Sequence, residues 1–287
     1  MNKLGADDGR AGVAGEAGLG PRMVDVGGRR LAFISNGTGA QTVVLETGLG
    51  ADSSEWALVE RGVAPFTGVC RYDRAGRGSS DAAPTPRTAL DMVDDLHTLL
   101  RVADVPRPYV LVGHSFGGLL ARLYAHRYGR LVAGLVLVDA MHEDQFDVFG
   151  PLFPPAAPSD GPALSGMRAF WTGGWRDPDA TTERINFAAS TAQAREVASL
   201  GSIPVYVLTA GTFLNYAIVP PDRRSALQQR WELLQGSYRR LSSCVTHSFV
   251  RSSGHFIQRD NPQSIIAVIQ RAVAGARRLT IARRATG

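Results

Sequence analysis

The sequence predicts an α/β protein, a mostly parallel central sheet with helices packed around it, and three observations carry that prediction. Short apolar, β-prone runs recur at 42–47, 68–72, 109–112, 134–138, 203–209 and 245–250, with helical periodicity between several of them. Runs such as Tyr109-Val110-Leu111-Val112 are apolar at every position, as strands covered on both faces require. With 287 residues, 44% apolar and 20% charged, the chain can bury such a sheet in one domain carrying a small insert.

Residues 1–21, rich in Gly, Ala and Asp, have neither a basic n-region nor an apolar h-region; they are expected to form a flexible tail, and the protein to stay in the cytoplasm. Arg22–Val26 and Arg30–Ser35 read as two strands joined by a hairpin at Gly27-Gly28. Thr42–Thr47 is the next strand and ends in Glu46-Thr47-Gly48-Leu49-Gly50; Gly68–Tyr72 follows and runs into Asp73-Arg74-Ala75-Gly76-Arg77-Gly78-Ser79-Ser80. A helix over 87–104 presents Leu90, Val93, Leu96 and Leu100 on one side, and Pro106 and Pro108 close it.

The chain turns on residues 109–118. The buried strand 109–112 stops at Gly113, and a helix with Leu119, Leu120, Leu123 and Tyr124 inward, and Arg122 and Arg127 outward, begins at once. Between them lies Gly113-His114-Ser115-Phe116-Gly117, a G-x-S-x-G pattern. Such an abrupt turn strains its central residue, and flanking glycines remove the Cβ atoms that would collide. Ser115 is thereby pushed clear of the backbone beside a helix N-terminus, whose free N–H groups favour developing negative charge. A serine hydroxyl in this role needs a histidine base and a carboxylate that orients it.

Beyond this helix, Gly134–Val138 is a strand ending in Asp139-Ala140-Met141-His142-Glu143-Asp144. From 144 to 200 the sheet pattern lapses into a Pro- and Gly-rich stretch holding Phe149, Phe153, Phe170, Trp171 and Trp175, with helices expected near 181–199. Ile203–Thr209 resumes the sheet, a helix from Arg223 to Leu241 follows, and Val245–Val250 is the last strand. Ser253-Gly254-His255-Phe256-Ile257-Gln258 then leads into a terminal helix at Asn261-Pro262.

These ordered motifs resemble the α/β-hydrolase superfamily of serine esterases and lipases over about residues 22–275. The resemblance implies the α/β-hydrolase fold, with a core over 22–143 and 201–287 and a helical cap over 144–200. It implies Ser115 as nucleophile, His255 as base, and backbone N–H groups of Leu49 and Phe116 as the oxyanion hole, Thr47-Gly48 standing where the family often has His-Gly. His142 is the competing base, since His247 falls in a strand, His126 and His97 lie in helices and His114 is locked beside the nucleophile. In most of the superfamily the acid follows the strand after the cap, but 209–215 contain no carboxylate. Asp139 is therefore the first candidate, as in some haloalkane dehalogenases and serine-dependent macrolide esterases; Asp222, which reads as a helix N-cap, and Glu143 stay open. Asp73 and Arg74 are expected to be structural.

Ser115 in place of a carboxylate argues against dehalogenase and epoxide-hydrolase chemistry. The expected activity is hydrolysis of a carboxylic ester or lactone without metal or cofactor. Glu-Thr-Gly-Leu-Gly, Asp-Arg-Ala-Gly and Val-Asp-Ala-Met-His-Glu-Asp are together most similar to the macrolide esterases, which makes a macrolide lactone the expected substrate and antibiotic resistance the expected role. Met141, His142, Glu143, Trp171 and Trp175 are expected to meet it, with Glu143, Asp144 and Asp147 as an acidic rim for an amino sugar. A general carboxylesterase or lipase on small esters is the alternative within the class; a proline-iminopeptidase-like peptidase is a weaker one, since it needs cap carboxylates that grip a free amine, and a ligand receptor with a hydrolase pocket is the alternative outside the class. The net charge of +5 comes from scattered arginines rather than a basic run, so neither nucleic acid nor a membrane is an expected partner. Cys70 and Cys244 are expected as buried free thiols, and one sequence leaves the oligomeric state open.

Overall fold

The structure, a computed structural model, describes residues 20–212 and 221–285. The expected tail lies almost wholly outside the described residues. β1 (Arg22–Asp25) and β2 (Arg30–Asn36) form the antiparallel entry, and the Asp25 carboxylate receives the N–H groups of Gly27 and Gly28 in the turn. β3 (Thr42–Glu46), α1 (Ala57–Val63), β4 (Gly68–Tyr72), α2 (Ala89–Val102) and β5 (Tyr109–His114) follow, then α3 (Phe116–Arg127) and β6 (Val132–Val138). Thr88 and Asp91 close a reciprocal capping box at the start of α2. After β6 the chain leaves the sheet for α4 (Gln145–Phe149), α5 (Pro162–Thr172) and α6 (Phe187–Arg195). It returns as β7 (Val205–Thr212), α7 (Pro221–Ser237), β8 (Val245–Gly254), α8 (Ile257–Asp260) and α9 (Pro262–Ala285).

The eight strands lie in the order β1-β2-β4-β3-β5-β6-β7-β8, antiparallel from β1 to β4 through β2 and parallel from β4 onward. Side-chain alternation splits the core in two. Val43, Leu45, Val110, Val112, Val136 and Val138 face α1 and α9, while Val44, Leu111, Leu135 and Leu137 face α2 and α3. Both faces are dry, which is why the central runs are apolar throughout. The order of the strands reverses at β3, so the loops leaving β3 and β5 diverge and open a crevice at the carboxyl ends of the strands. No helix among the described residues is long and apolar enough to cross a membrane.

Several local expectations are corrected. Arg122 is buried rather than outward: α6 and Tyr238 cover that face of α3, and the guanidinium donates to Glu143 (2.6 Å) and to the Ala194 carbonyl (3.3 Å). α7 stops at Ser237, not Leu241, because Gly236 weakens the helix and the Ser237 hydroxyl donates back to the Leu234 carbonyl (2.6 Å). β8 runs on to Gly254, pairing with β7 past an irregularity near Ala210, although Arg251-Ser252-Ser253 carries no apolar signal. The helix expected near 181–199 is present as α6, but a longer one, α5, precedes it where none was expected. Cys70 is buried and Cys244 is exposed.

Candidate active site

Ser115 stands between the end of β5 and the start of α3 with φ 52° and ψ −121°, a backbone conformation that L residues rarely adopt. Its neighbours enforce it. Ser115 N–H donates to the Val138 carbonyl, and its own carbonyl accepts from Gly118 and Met141. A Cβ on Gly113 would stand 2.3 Å from the Gly117 carbonyl oxygen, and one on Gly117 would stand 2.4 Å from that of Thr47. Both glycines are thus required by close packing, and the serine between them is aimed into the crevice.

Asp139 follows β6, also at positive φ (42°), and is 0% exposed. One carboxylate oxygen accepts from the Ala210 N–H (2.9 Å) and the Trp231 indole N–H (2.7 Å); the other lies 2.6 Å from His255 Nδ1. Of the three acids left open by the sequence, Asp139 is the one that meets His255. Glu143 is held by Arg122, and the side chain of Asp222 lies outside the described residues. His114 supports the loop from below: Gln258 donates to its Nδ1 (3.1 Å), which leaves the proton on Nε2 to donate to the His255 carbonyl (2.9 Å). Gln258 was not singled out by sequence reasoning, and neither was Trp231 as a partner for the acid.

The loop after β3 lies beside the serine, since a Cβ on Gly48 would stand 3.4 Å from Ser115 Cβ. The N–H groups of Leu49 and Phe116 donate to no acceptor among the described residues. Arg74 holds this loop from beneath. Its guanidinium donates to the Thr47 and Gly48 carbonyls, to Glu46 and, through two nitrogens, to Glu183, which also accepts the Gly50 N–H (2.6 Å). Asp73 and Arg74 do not pair with each other; Asp73 instead receives the N–H groups of Ser53 and Ser79. Glu183 lies over a hundred residues away in sequence, so no local pattern announces it.

Ser115 and His255 line one cavity of about 170 Å³, walled by Leu49, Phe116 and a set of aromatic and Met side chains. Of the residues expected to meet substrate, Met141 and Trp171 line it. His142, Glu143 and Trp175 do not. His142 is buried, accepting the Asp144 N–H at Nδ1 and donating from Nε2 to the Ser237 hydroxyl, so it is no competing base either. Trp175 stacks behind Phe146 at 4.5 Å between ring centres. Glu143 faces Arg122, and Asp144 and Asp147 both face Arg195, so these acids do not form an open anionic rim.

Residues 43–268 match the model of the alpha/beta hydrolase family. The chain belongs to that family. An uncharacterized protein of Bacillus subtilis, YqjL, is 28% identical over 230 residues, 80% of this chain and 82% of that protein. A putative carbamate hydrolase of Pantoea ananatis, RutD, is 35% identical over 101 residues, but these are only 35% of this chain and 36% of that one. The solved structure of a thermophilic esterase from Thermogutta terrifontis shares the fold at a TM-score of 0.58 and 20% identity, over 90% of this chain and 98% of that one.

Burial sets the protonation of His114 and His142. It pushes His114 well below its usual pKa, with the neighbouring His255 adding to the effect, and it lowers His142 against the pull of Glu143. Above about pH 6.5 folded and unfolded chains both carry these rings neutral. As pH falls below that, the unfolded chain takes up protons first and stability drops, by at most ~1.4 kcal/mol per pH unit for each ring. Urea denaturation at pH 7.5 and 5.5 should therefore show a lower midpoint at the acid value, with a shallower decline in His114→Gln.

Proposed function

We propose that this protein is a serine hydrolase of carboxylic esters, with Ser115 as nucleophile, His255 as base and Asp139 as the orienting acid. The observation that carries the reading is the 2.6 Å contact between His255 and the wholly buried Asp139, on a histidine that shares its cavity with Ser115. In the proposed cycle Ser115 Oγ attacks the ester carbonyl and passes its proton to His255 Nε2. The negative charge on the former carbonyl oxygen is received by the N–H groups of Leu49 and Phe116. Collapse breaks the bond to the alcohol, which leaves with the proton from His255. A water, deprotonated by the same ring, then attacks the acyl-serine and releases the acid. The segment 144–200 is read as the cap that shapes the cavity, and Met141 and Trp171 as contacts to substrate.

The aromatic lining and the volume favour a compact ester. Sites for drug-sized ligands run to about 300–1,000 Å³, above the 170 Å³ found here. The macrolide reading rests on the motif resemblance alone, since the acids meant for an amino sugar already face arginines. The name of the Thermogutta esterase fits hydrolysis of an ester, and that of the Pantoea putative carbamate hydrolase fits hydrolysis at a carbonyl centre in general.

The test is turnover of short p-nitrophenyl esters and of 14- and 16-membered macrolides by wild type and Ser115→Ala, read by mass spectrometry. Serine-dependent cleavage of the small esters is the expected result. Addition of one water to a macrolide would shift the assignment to lactone opening. Ligand retention without turnover in any case would replace the enzyme reading by that of a receptor.

A further inference from the structure

Among the described residues that line the cavity beside Ser115, one polar side chain is not used by the proposed chemistry. Gln145, at the start of α4, lines it among Met141, Met167, Phe170 and Trp171 and is 8% exposed. Its backbone N–H donates to the His142 carbonyl, yet its carboxamide makes no hydrogen bond among the described residues. Other buried glutamines differ. Gln235 donates to the Ala140 carbonyl (2.7 Å), and Gln258 donates to His114 and Glu55. Those amides hold the fold through their NH₂ groups, although their oxygens have no partner among the described residues, whereas the amide of Gln145 holds nothing in it.

Gln145 lines the cavity and its amide atoms are not sealed from solvent, so an alkyl group that enters would take away their water and replace it with nothing, which is costly. In an otherwise apolar wall the group that can answer it is one that enters the cavity. We propose that Gln145 is a specificity residue which selects esters carrying a neutral, hydrogen-bonding oxygen, a ketone or a hydroxyl, on the short segment that enters the aromatic cavity. A carboxamide donates and accepts, so it serves either oxygen, and it offers no charge to hold a carboxylate or an amine. A plain alkyl segment fills the same space but leaves the amide unanswered, so the site discriminates by what the alkyl substrate fails to supply. The proposal rests on the ester-hydrolase reading for the identity of the reacting group, but the binding preference stands apart from turnover.

The experiment uses matched pairs. For wild type and Gln145→Leu, kcat/KM is measured on p-nitrophenyl 5-oxohexanoate against hexanoate and 4-oxopentanoate against pentanoate. For the alcohol side, 4-acetoxybutan-2-one is compared with butyl acetate in a pH-stat. Wild type should prefer the oxo member of at least one pair by about tenfold, the worth of one net hydrogen bond, and Gln145→Leu should abolish or invert that preference while cleaving the alkyl member at least as well. In parallel, methyl 5-oxohexanoate and methyl hexanoate are titrated calorimetrically into Ser115→Ala and Ser115→Ala/Gln145→Leu. Serine-dependent turnover with no oxo preference in any pair overturns the role of Gln145 and leaves the esterase reading standing. Without serine-dependent turnover, tighter binding of the oxo ester that vanishes in the double variant sustains the role of Gln145 while the esterase reading falls. Equal binding and no turnover sink both.

Discussion

Asp139→Asn is expected to lower kcat on a short aryl ester by about 10⁴-fold with little change in KM. The two donors on one side of the carboxylate make the effect large. Ala210 N–H and the Trp231 indole N–H both require an acceptor, so the oxygen of an asparagine takes that side and its NH₂ turns toward His255 Nδ1. That nitrogen must then accept, the ring proton moves to Nε2, and the proposed base can no longer take a proton on the side of Ser115. Trp231→Phe removes one of the donors and leaves the acid itself in place, so its loss should be far smaller. Steady-state kinetics, with circular dichroism showing each variant folded, read the result. Asp222→Asn and Glu143→Gln should stay within about tenfold of wild type. If Asp139→Asn kept more than a tenth of the activity while either of those collapsed, the acid would have to be reassigned.

The parts that could be read from the sequence are those that a local pattern encodes. The apolar runs gave the sheet because strands buried on both faces leave no polar position. The serine turn was visible because close packing of Gly113 against Gly117, and of Gly117 against Thr47, leaves no room for a side chain. Asp139 could be proposed because it follows β6 directly and because the usual acid position after β7 is empty of carboxylates. What stayed hidden was long-range. Arg122 sits on a helix face that reads as outward until α6 covers it, and Glu183 meets Arg74 only in the folded chain. His142 and Glu143 adjoin Asp139 in sequence, but the chain turns there, and their side chains point to Ser237 and Arg122 instead of the cavity. Gln145, three residues beyond His142, does line it, and nothing in a single glutamine distinguishes a wall residue from a surface one.

The second large effect is expected at Arg74. Its guanidinium stands wholly buried between Glu46 and Glu183 and also fixes the carbonyls of Thr47 and Gly48, just before the Leu49 amide. Burial drives the Glu46 carboxyl above its usual pKa, and Arg74 and the Tyr72 hydroxyl offset only part of that. Burial acts on Glu183 in the same direction, but there Arg74 outweighs it and the carboxyl is held below the usual range. Arg74→Met would leave two buried carboxylates facing each other without a counter-charge, a loss of about 3–5 kcal/mol at neutral pH. The sign of the pH dependence follows. Without the arginine both folded-state pKa values lie above their unfolded ones, so the folded variant keeps its protons longer and its deficit relative to wild type should shrink as pH falls and grow as pH rises. Urea midpoints of both proteins at pH 5 and pH 8 measure this, and a deficit independent of pH would show that the carboxylates are not its source. Arg74→Lys separates charge from geometry. A lysine restores one positive charge but cannot span two carbonyls and two carboxylates with a rigid fork. It should therefore recover much of the stability while kcat stays at least tenfold low, because the Leu49 amide, the proposed oxyanion donor, loses its support.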